Sequence, residues 1–525
     1  MTLSPALRRG LRSWPVLVVL FFTPAAVWAM SNPLLAVSDE PSHVTKAASI
    51  WYGQLEGRDT APGTGRRTYR LPEVWALQPP CYMFHNDLLP NRCPAPVGAG
   101  TKVIDVPTNS GAYPPLYFAL VGWPGRLFPN AYGVRLMRLV GALLCAAFLA
   151  AAVKALQRAV RPGLAVAAVL VAVTPTTVYL SGSVNPSGFE IATAVALWAH
   201  LMAMARRAEA GERRVPPALL AGLLVSGVAL ALTRPLSGPY AGVIVVLALL
   251  SVGWPTLRAL ARQRAVLLSL AALTVVCLIA LRLVLGTGMV GGKVEGGLAF
   301  PVGANHWTVV MGSTSSYVQQ MITSSGWLDI PSSNFVLFFG LGMMFALIGA
   351  SLMLSRLRQN VALGLTIVAT VAIPLVLQAP MTGSASLIWQ GRYILPIAVG
   401  IPLLAVLGID RGIGVVADQG RRLAVALAVT VAVLNAYAVF WNLHRYTLGF
   451  TDRGLDILRG SWQPPGGSLV WMLVMVAIGV LAVVVVATAP FESPLDHLGD
   501  ESADPERLAD PVDTATSEAG VVVAH

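Results

Sequence analysis

Long apolar runs recur along the chain, and short basic clusters divide them into pairs. The runs fall near residues 15–36, 136–155, 163–181, 188–205, 217–233, 236–253, 265–285, 334–354, 361–379, 394–409, 423–441 and 469–489. A helix rises about 1.5 Å per residue, so runs of this length reach across roughly 30 Å of hydrocarbon. The pattern predicts an all-α, polytopic helical membrane protein with about twelve transmembrane helices.

The basic clusters set the expected orientation. They are Arg8/Arg9/Arg12, Lys154/Arg158/Arg161, Arg206/Arg207/Arg213/Arg214, Arg258/Arg262/Arg264, Arg356/Arg358 and Arg411/Arg421/Arg422. With every cluster in the cytoplasm, the short outer connections 182–187, 234–235 and 380–393 hold only Arg234 and Arg392. That asymmetry satisfies the positive-inside rule with both termini cytoplasmic. The expectation is a multi-pass plasma-membrane protein with residues 1–14 as a cytoplasmic N-terminus and 15–489 as the transmembrane domain. A cleaved signal peptide ending near Ala29 is the alternative for the first run. Residues 13–38 carry no charge, which favours an uncleaved span.

Composition sharpens the picture. The 525 residues are 55% hydrophobic and 12% charged, against about 25% charged in soluble domains, which excludes a soluble multidomain enzyme. The net charge of +11 invites a nucleic-acid reading. However, residues 490–525 carry nine acids and one Arg and are expected to form a disordered, acidic cytoplasmic tail. The basic excess lies in clusters between apolar runs, a topological signal rather than a groove tracking phosphates, so no nucleic-acid partner is expected.

Three outer segments are too long for turns: residues 37–134, the large first extracytoplasmic loop, then 286–333 and 442–468. The first holds 13 prolines and 12 aromatics. A disordered linker would lack those aromatics, so the loop is expected to pack on itself and on the membrane surface. Cys81 and Cys93 lie in it, on the oxidising side, and read as a structural disulfide. A zinc site would want more Cys or His ligands than His85 supplies. Cys145 and Cys277 fall in apolar runs and read as packing residues.

Candidate chemistry starts at Ser38–Asp39–Glu40–Pro41–Ser42–His43, directly after the first run. Adjacent carboxylates at a membrane surface are costly unless solvated or paired. One acid can deprotonate an acceptor hydroxyl while the other orients it or a metal. The plainer reading is a helix start, with Ser38 as N-cap and the acids favoured in the first turn. Ser187 and Glu190 have capping-box spacing, which reads as structural. Arg234 and Arg392 either snorkel to headgroups or bind a phosphate.

Together, Asp39–Glu40–Pro41–Ser42–His43, Pro114–Pro115–Leu116–Tyr117, Asn185–Pro186, Gly326–Trp327–Leu328–Asp329, Gln390–Gly391–Arg392–Tyr393, and Arg445–Tyr446 followed by Pro464–Pro465–Gly466–Gly467 occur in one order. From about residue 15 to 490 the chain resembles the bacterial membrane family called domain of unknown function 2142, in its actinobacterial form. That family is grouped with the C-type (GT-C) glycosyltransferases. The resemblance implies a GT-C-like fold, a polyprenyl-phosphate sugar donor, the lipid bilayer as surroundings, and a cell-envelope glycan, lipid or protein as acceptor.

The Asp39–Glu40–x–x–His43 arrangement is also similar to the acidic pair of protein O-mannosyltransferases. By that resemblance Asp39 is the general base, with Glu40 and His43 beside it, and the two acids can exchange roles. Arg392 and Arg234 are the expected lipid-phosphate ligands, with Tyr393, Tyr117, Asp329 and Arg445 as further substrate contacts. A divalent metal is compatible but not demanded, because Arg can neutralise a monophosphate, and no other cofactor is implied. The competing reading is a transporter or flippase of lipid-linked envelope precursors. Transporters place polar residues near mid-membrane, whereas most runs here lack central charge. A non-enzymatic scaffold for envelope assembly is the third reading.

Overall fold

Length and apolarity put most of the predicted runs into helices, and prolines decide where those helices break. The computed structural model describes residue 4 and residues 10–287, 305–379, 387–412, 417–450 and 454–496. In chain order the helices begin with α1 (Trp14–Ser31) and α2 (Glu40–Trp51). Three strands follow, β1 (Arg58–Ala61), β2 (Arg66–Pro72) and β3 (Val103–Thr108). Next come α3 (Leu116–Leu127), α4 (Ala131–Leu156), α5 (Pro162–Ala172), α6 (Pro175–Ser181), α7 (Pro186–Glu209), α8 (Pro217–Ala231) and α9 (Ser237–Leu250). The remainder are α10 (Trp254–Ala261), α11 (Arg264–Gly286), α12 (His306–Gly312), α13 (Thr314–Ile322), α14 (Asn334–Leu354), α15 (Leu357–Gln378), α16 (Leu395–Ala398), α17 (Gly400–Gly412), α18 (Ala417–Thr447) and α19 (Ser468–Ala487).

Among the described residues nine helices are long and apolar enough to cross a membrane, or ten if the bent pair α5–α6 is one span. Three of the twelve expected runs therefore depart from a plain span. Pro175 interrupts the run at 163–181, and α5 and α6 meet at 77°. α8 and α9 have 15 and 14 residues, about 21–23 Å of helix, because Pro216–Pro217 delays the start of one and Arg234–Pro235 parts the two. From residue 497 the acidic tail lies outside the described residues, as do residues 288–304 of the second outer segment.

α7 is the centre of the bundle. Its residues from Pro186 to Ala205 are all buried, and it packs on α4, α8 and α9. Small residues on its neighbours make this possible: a Cβ on Gly222 would collide with the His200 ring, and one on Gly400 with the Trp198 ring. Trp198 Nε1 donates to the Pro396 carbonyl at 3.2 Å.

Charge gathers at the two ends. At one end Arg161 and Arg206 meet Asp410 at 3.1 and 3.6 Å, and Arg411 pairs with Glu209. Lys154 Nζ donates to the Arg12 carbonyl there at 3.4 Å, and Arg161 Nε to that of Phe491 at 3.1 Å. The first described helix thus starts, and the last one finishes, beside the basic clusters. At the opposite end the first loop forms its own layer. β1–β2–β3 is an antiparallel sheet, with Thr68 facing Arg58 in one neighbour and Pro107 in the other. Lys46 Nζ on α2 donates to the Tyr69 hydroxyl at 2.7 Å and the Leu55 carbonyl at 2.9 Å, tying helix to sheet. Cys81 and Cys93 are joined with Cα atoms 5.7 Å apart.

Candidate active site

The turn between α1 and α2 separates the two adjacent acids. Asp39 precedes α2 with φ +66°, in the left-handed region, a conformation that costs an L-residue about 1–2 kcal/mol and that Asp tolerates better than most. Neither Ser38 nor Asp39 caps the helix with its side chain. The Asp39 carboxylate instead pairs with Arg392 Nη2, and its side chain is 44% exposed against 5% for the arginine. Burial raises the Asp39 carboxyl, but the Arg392 guanidinium, by charge and by hydrogen bond and with smaller help from Arg234, holds it below the usual carboxylate range. It is ionised at neutral pH.

Arg392 sits in a single 3-10 turn, Gly391–Tyr393. Glycine is needed before it, since a Cβ at Gly391 would collide with the Tyr317 carbonyl. Gln320 Oε1 accepts from Gly391 N at 2.7 Å, which fixes the turn on α13. Arg234, in the link between α8 and α9, pairs with Glu190 at 3.0 Å, and Ser237 Oγ donates to the same carboxylate at 2.6 Å. Tyr393 lies between the two arginines, with Arg234 Cζ 4.6 Å and Arg392 Cζ 5.3 Å from its ring centroid. The Nε of each guanidinium is buried and finds no acceptor among the described residues. A small cavity of about 10 Å³ lies beside Arg392, lined also by Ser38, Tyr179 and Leu328.

His43 lies one turn along α2, 3% exposed, with Nδ1 2.9 Å from Ser110 Oγ and its ring against Tyr113 and Phe118. Burial pushes the imidazole down to about 3, with Asp39 pulling up and Arg392 and Arg234 down. It is neutral at physiological pH.

A family model described as a predicted membrane protein (DUF2142) matches residues 20–401. The chain belongs to the DUF2142 family. The match includes Asp39, Glu190, Arg234 and Arg392 and ends before Arg445. Two solved structures are also similar, both of ArnT from Cupriavidus metallidurans. The one bound to undecaprenyl phosphate has 15% identity and a TM-score of 0.44, over 93% of this chain and 76% of that one. The apo state has 15% identity and a TM-score of 0.43, over 93% and 77%. No curated protein matches the chain.

In this DUF2142 chain the other expected site residues divide between support and packing. Glu40 is wholly buried rather than beside the Asp39 opening. Arg138 holds it with Nε at 2.7 Å and Nη2 at 2.5 Å, and Val184 N donates to it at 3.1 Å. Arg138 also donates to the carbonyls of Ala29, Asn32 and Pro33 at 3.0, 3.2 and 2.9 Å. Both carboxylate oxygens are occupied, which takes Glu40 out of reach of an acceptor hydroxyl. Asp329 accepts from Trp327 N at 2.8 Å and Phe84 N at 2.9 Å, so it ties the Gly326–Trp327–Leu328–Asp329 turn to the first loop. Gly326, with φ +66°, offers its carbonyl to the Tyr179 hydroxyl and to Ser38 N at 2.8 and 3.2 Å. That turn therefore positions Asp39 through its neighbour.

Tyr117 is 1% exposed, its hydroxyl 3.4 Å from the Ser183 carbonyl. Arg445 donates to the carbonyls of Tyr82, His85 and Leu88 at 3.1, 2.8 and 3.0 Å, clasping the disulfide loop. Both are structural. Asn185, not Ser187, caps α7, and Glu190 turns to Arg234 instead of closing a capping box. Among the described residues no group of three or more His, Cys, Asp or Glu is placed to hold a metal ion. Arg138 escapes the sequence reading and Glu190 enters it only as a capping residue, although a charge inside an apolar run is itself a signal that a partner exists.

Proposed function

We propose that this protein is a GT-C-like membrane glycosyltransferase of the plasma membrane, with both termini cytoplasmic. It takes a sugar from a polyprenyl-phosphate donor and passes it to a cell-envelope acceptor, a glycan, lipid or protein, on the outer face. The observation that carries this reading is the half-open Asp39 carboxylate paired to a buried Arg392, with Arg234 and Tyr393 alongside.

The chemistry follows from those groups. Asp39 accepts the proton of an acceptor hydroxyl as that oxygen bonds to the anomeric carbon. The bond from the anomeric carbon to the phosphate oxygen breaks, and its electron pair leaves with the lipid phosphate. Arg392 and Arg234 neutralise that phosphate through donors their carboxylate partners leave free, including the two Nε–H groups. A phosphate on Arg392 also competes with Asp39 for the guanidinium, so donor binding frees the base. The anomeric centre inverts, and the proton passes from Asp39 to solvent. His43, neutral and bonded to Ser110, positions the turn and takes no proton.

A route for the lipid tail supports the same reading. Four small cavities succeed one another from Arg392 to the bundle interior: Ser324 lines the first and second, Pro175 the second and third, and Leu170, Val173, Val431 and Asn435 the third and fourth. They pass the break between α5 and α6. For the rival transporter, the charged pairs sit at the ends of the bundle rather than its middle.

The test is sugar transfer by the purified protein in lipid vesicles, with a panel of polyprenyl-phosphate sugars and envelope acceptors. Transfer that depends on Asp39 is expected. Lipid-linked sugar moved across the bilayer without any new glycosidic bond would replace the proposal with the transporter.

A further inference from the structure

The outer layer holds a cavity of about 720 Å³ away from Asp39, between the disulfide loop and the third outer segment. That volume lies in the range of small-molecule sites. Its wall includes Pro80, Pro94 and the Cys81–Cys93 disulfide, whose backbone torsions are restricted, so the space is formed before any ligand arrives. The rings of Tyr82 and Trp462 face it, and Glu73 adds a carboxylate. The Tyr82 hydroxyl is already used by the Leu34 carbonyl at 3.3 Å.

Arg135 is the feature that asks for a ligand. It lines this cavity from the second turn of α4, and its Nη1 is buried with no acceptor among the described residues. The other arginines of this end each have a partner, Arg138 in Glu40, Arg234 in Glu190, Arg392 in Asp39 and Arg445 in three carbonyls, although the Nε of the last three is unmet as well. An unmet buried donor is costly, and Arg138 three residues on adds a second guanidinium to the same helix face whose charge Glu40 cancels. The charged lining is then Arg135 and Glu73, one of each sign.

We propose that this cavity binds an anionic saccharide or polyol, one that carries a carboxylate or phosphate. Arg135 takes the acid group as a two-pronged donor, Glu73 accepts from hydroxyls, and Trp462 and Tyr82 cover apolar ring faces. A bare anion would leave the aromatic wall unused and would meet Glu73. A neutral sugar would leave Arg135 unmatched. The wall also contains Pro33 and Leu34, and the same stretch of chain reaches Asp39 five residues later. Assigning the bound molecule as the sugar acceptor rests on the proposed glycosyltransferase reading; the binding itself does not.

The experiment measures binding without any donor, so its failure and the failure of sugar transfer are separate results. Full-length protein in nanodiscs is titrated with a glucuronate-terminated disaccharide and with its neutral glucose counterpart, by calorimetry and saturation-transfer NMR. A parallel arm uses nanodiscs containing phosphatidylinositol. The acidic disaccharide is expected to bind at least about tenfold tighter than the neutral one, and Arg135→Gln to abolish that preference while exposed Arg126→Gln keeps it. Binding of phosphatidylinositol alone, lost in Arg135→Gln, supports the site with a lipid headgroup as its source. Equal affinity for acidic and neutral sugars, no binding in either arm, or full binding by Arg135→Gln would overturn the proposal. Should Arg135→Gln fail to fold, the acid-over-neutral preference of the unaltered protein decides alone.

Discussion

Asp39 and Glu40 are neighbours in sequence, each paired with an arginine, yet their surroundings are opposite. The Glu40–Arg138 pair is 0% exposed on both sides and joined by two hydrogen bonds. The Asp39–Arg392 pair leaves the carboxylate 44% exposed and joined by one. A closed, two-pronged pair organises backbone: Arg138 gathers three carbonyls from the end of α1 and the residues just beyond it. An open, single-pronged pair keeps donors and an oxygen edge available for something else. The acid that looks interchangeable in a motif is a sealed clamp at Glu40 and an open carboxylate at Asp39.

The comparison is broken most directly at Asp39. Asp39→Asn keeps size and hydrogen bonding but cannot take a proton, so transfer should fall by about 10²–10⁴-fold with folding intact. Wild-type rates in this variant would remove the base. Next in size, Glu40→Gln leaves Arg138 as an uncompensated buried charge. A loss of roughly 3–5 kcal/mol is expected, read as a lower thermal midpoint in detergent, with transfer per folded molecule retained. A variant that is stable but inactive would put the chemistry on Glu40 and reverse the assignment.

A smaller effect is read by pH at the open pair's neighbour His43. His43 has its folded-state pKa pushed down to about 3 from the ordinary 6.5. Below pH 6.5 the unfolded chain therefore binds more protons, and stability falls as pH drops toward 3. Between pH 6.5 and 5 the cost is about 2 kcal/mol, and His43→Gln should flatten that slope in a pH series of melting curves. Asp39, held low by Arg392, contributes above the ordinary carboxylate pKa and loses its contribution only as pH falls through its own lower value. A slope that persists in His43→Gln would point to another group. The smallest change is Arg392→Lys, which keeps charge and loses fork geometry. About tenfold weaker binding of a polyprenyl phosphate is expected, and unchanged binding would make Arg392 an anchor at the interface.

The bundle was readable from apolar runs because lipid imposes one demand, internal backbone hydrogen bonding, on every span. The break at Pro175 was less readable, since it lies inside a run whose mean apolarity hides it, whereas Arg234–Pro235 shows in the sequence as the connection between two runs. Arg234 and Arg392 stood out as isolated cations on the sparsely charged side, and the Cys81–Cys93 disulfide followed from loop position. The division of labour between Asp39 and Glu40 was not readable. It depends on a left-handed residue at Asp39 and on Arg138, 98 residues further along. Asp329, Tyr117 and Arg445 sit in motifs that look like substrate contacts, and in the structure their polar atoms meet backbone groups of the protein, which only packing reveals.

The two arginine partners also differ in when a ribosome makes them. Glu40 and Arg138 are 98 residues apart, so their pair can close once α4 has been made. Asp39 waits for a residue 353 positions later, which at about 5–20 residues per second is roughly 20–70 s of synthesis. Through that interval the nascent chain carries the Asp39 carboxylate without the guanidinium that pairs with it, and the turn before α2 gains its bond from Ser38 N to the Gly326 carbonyl only late in it. The part of the protein assigned to catalysis is thus among the last to assemble, and a chain cut short before Gly391 would keep the clamp and never acquire the site.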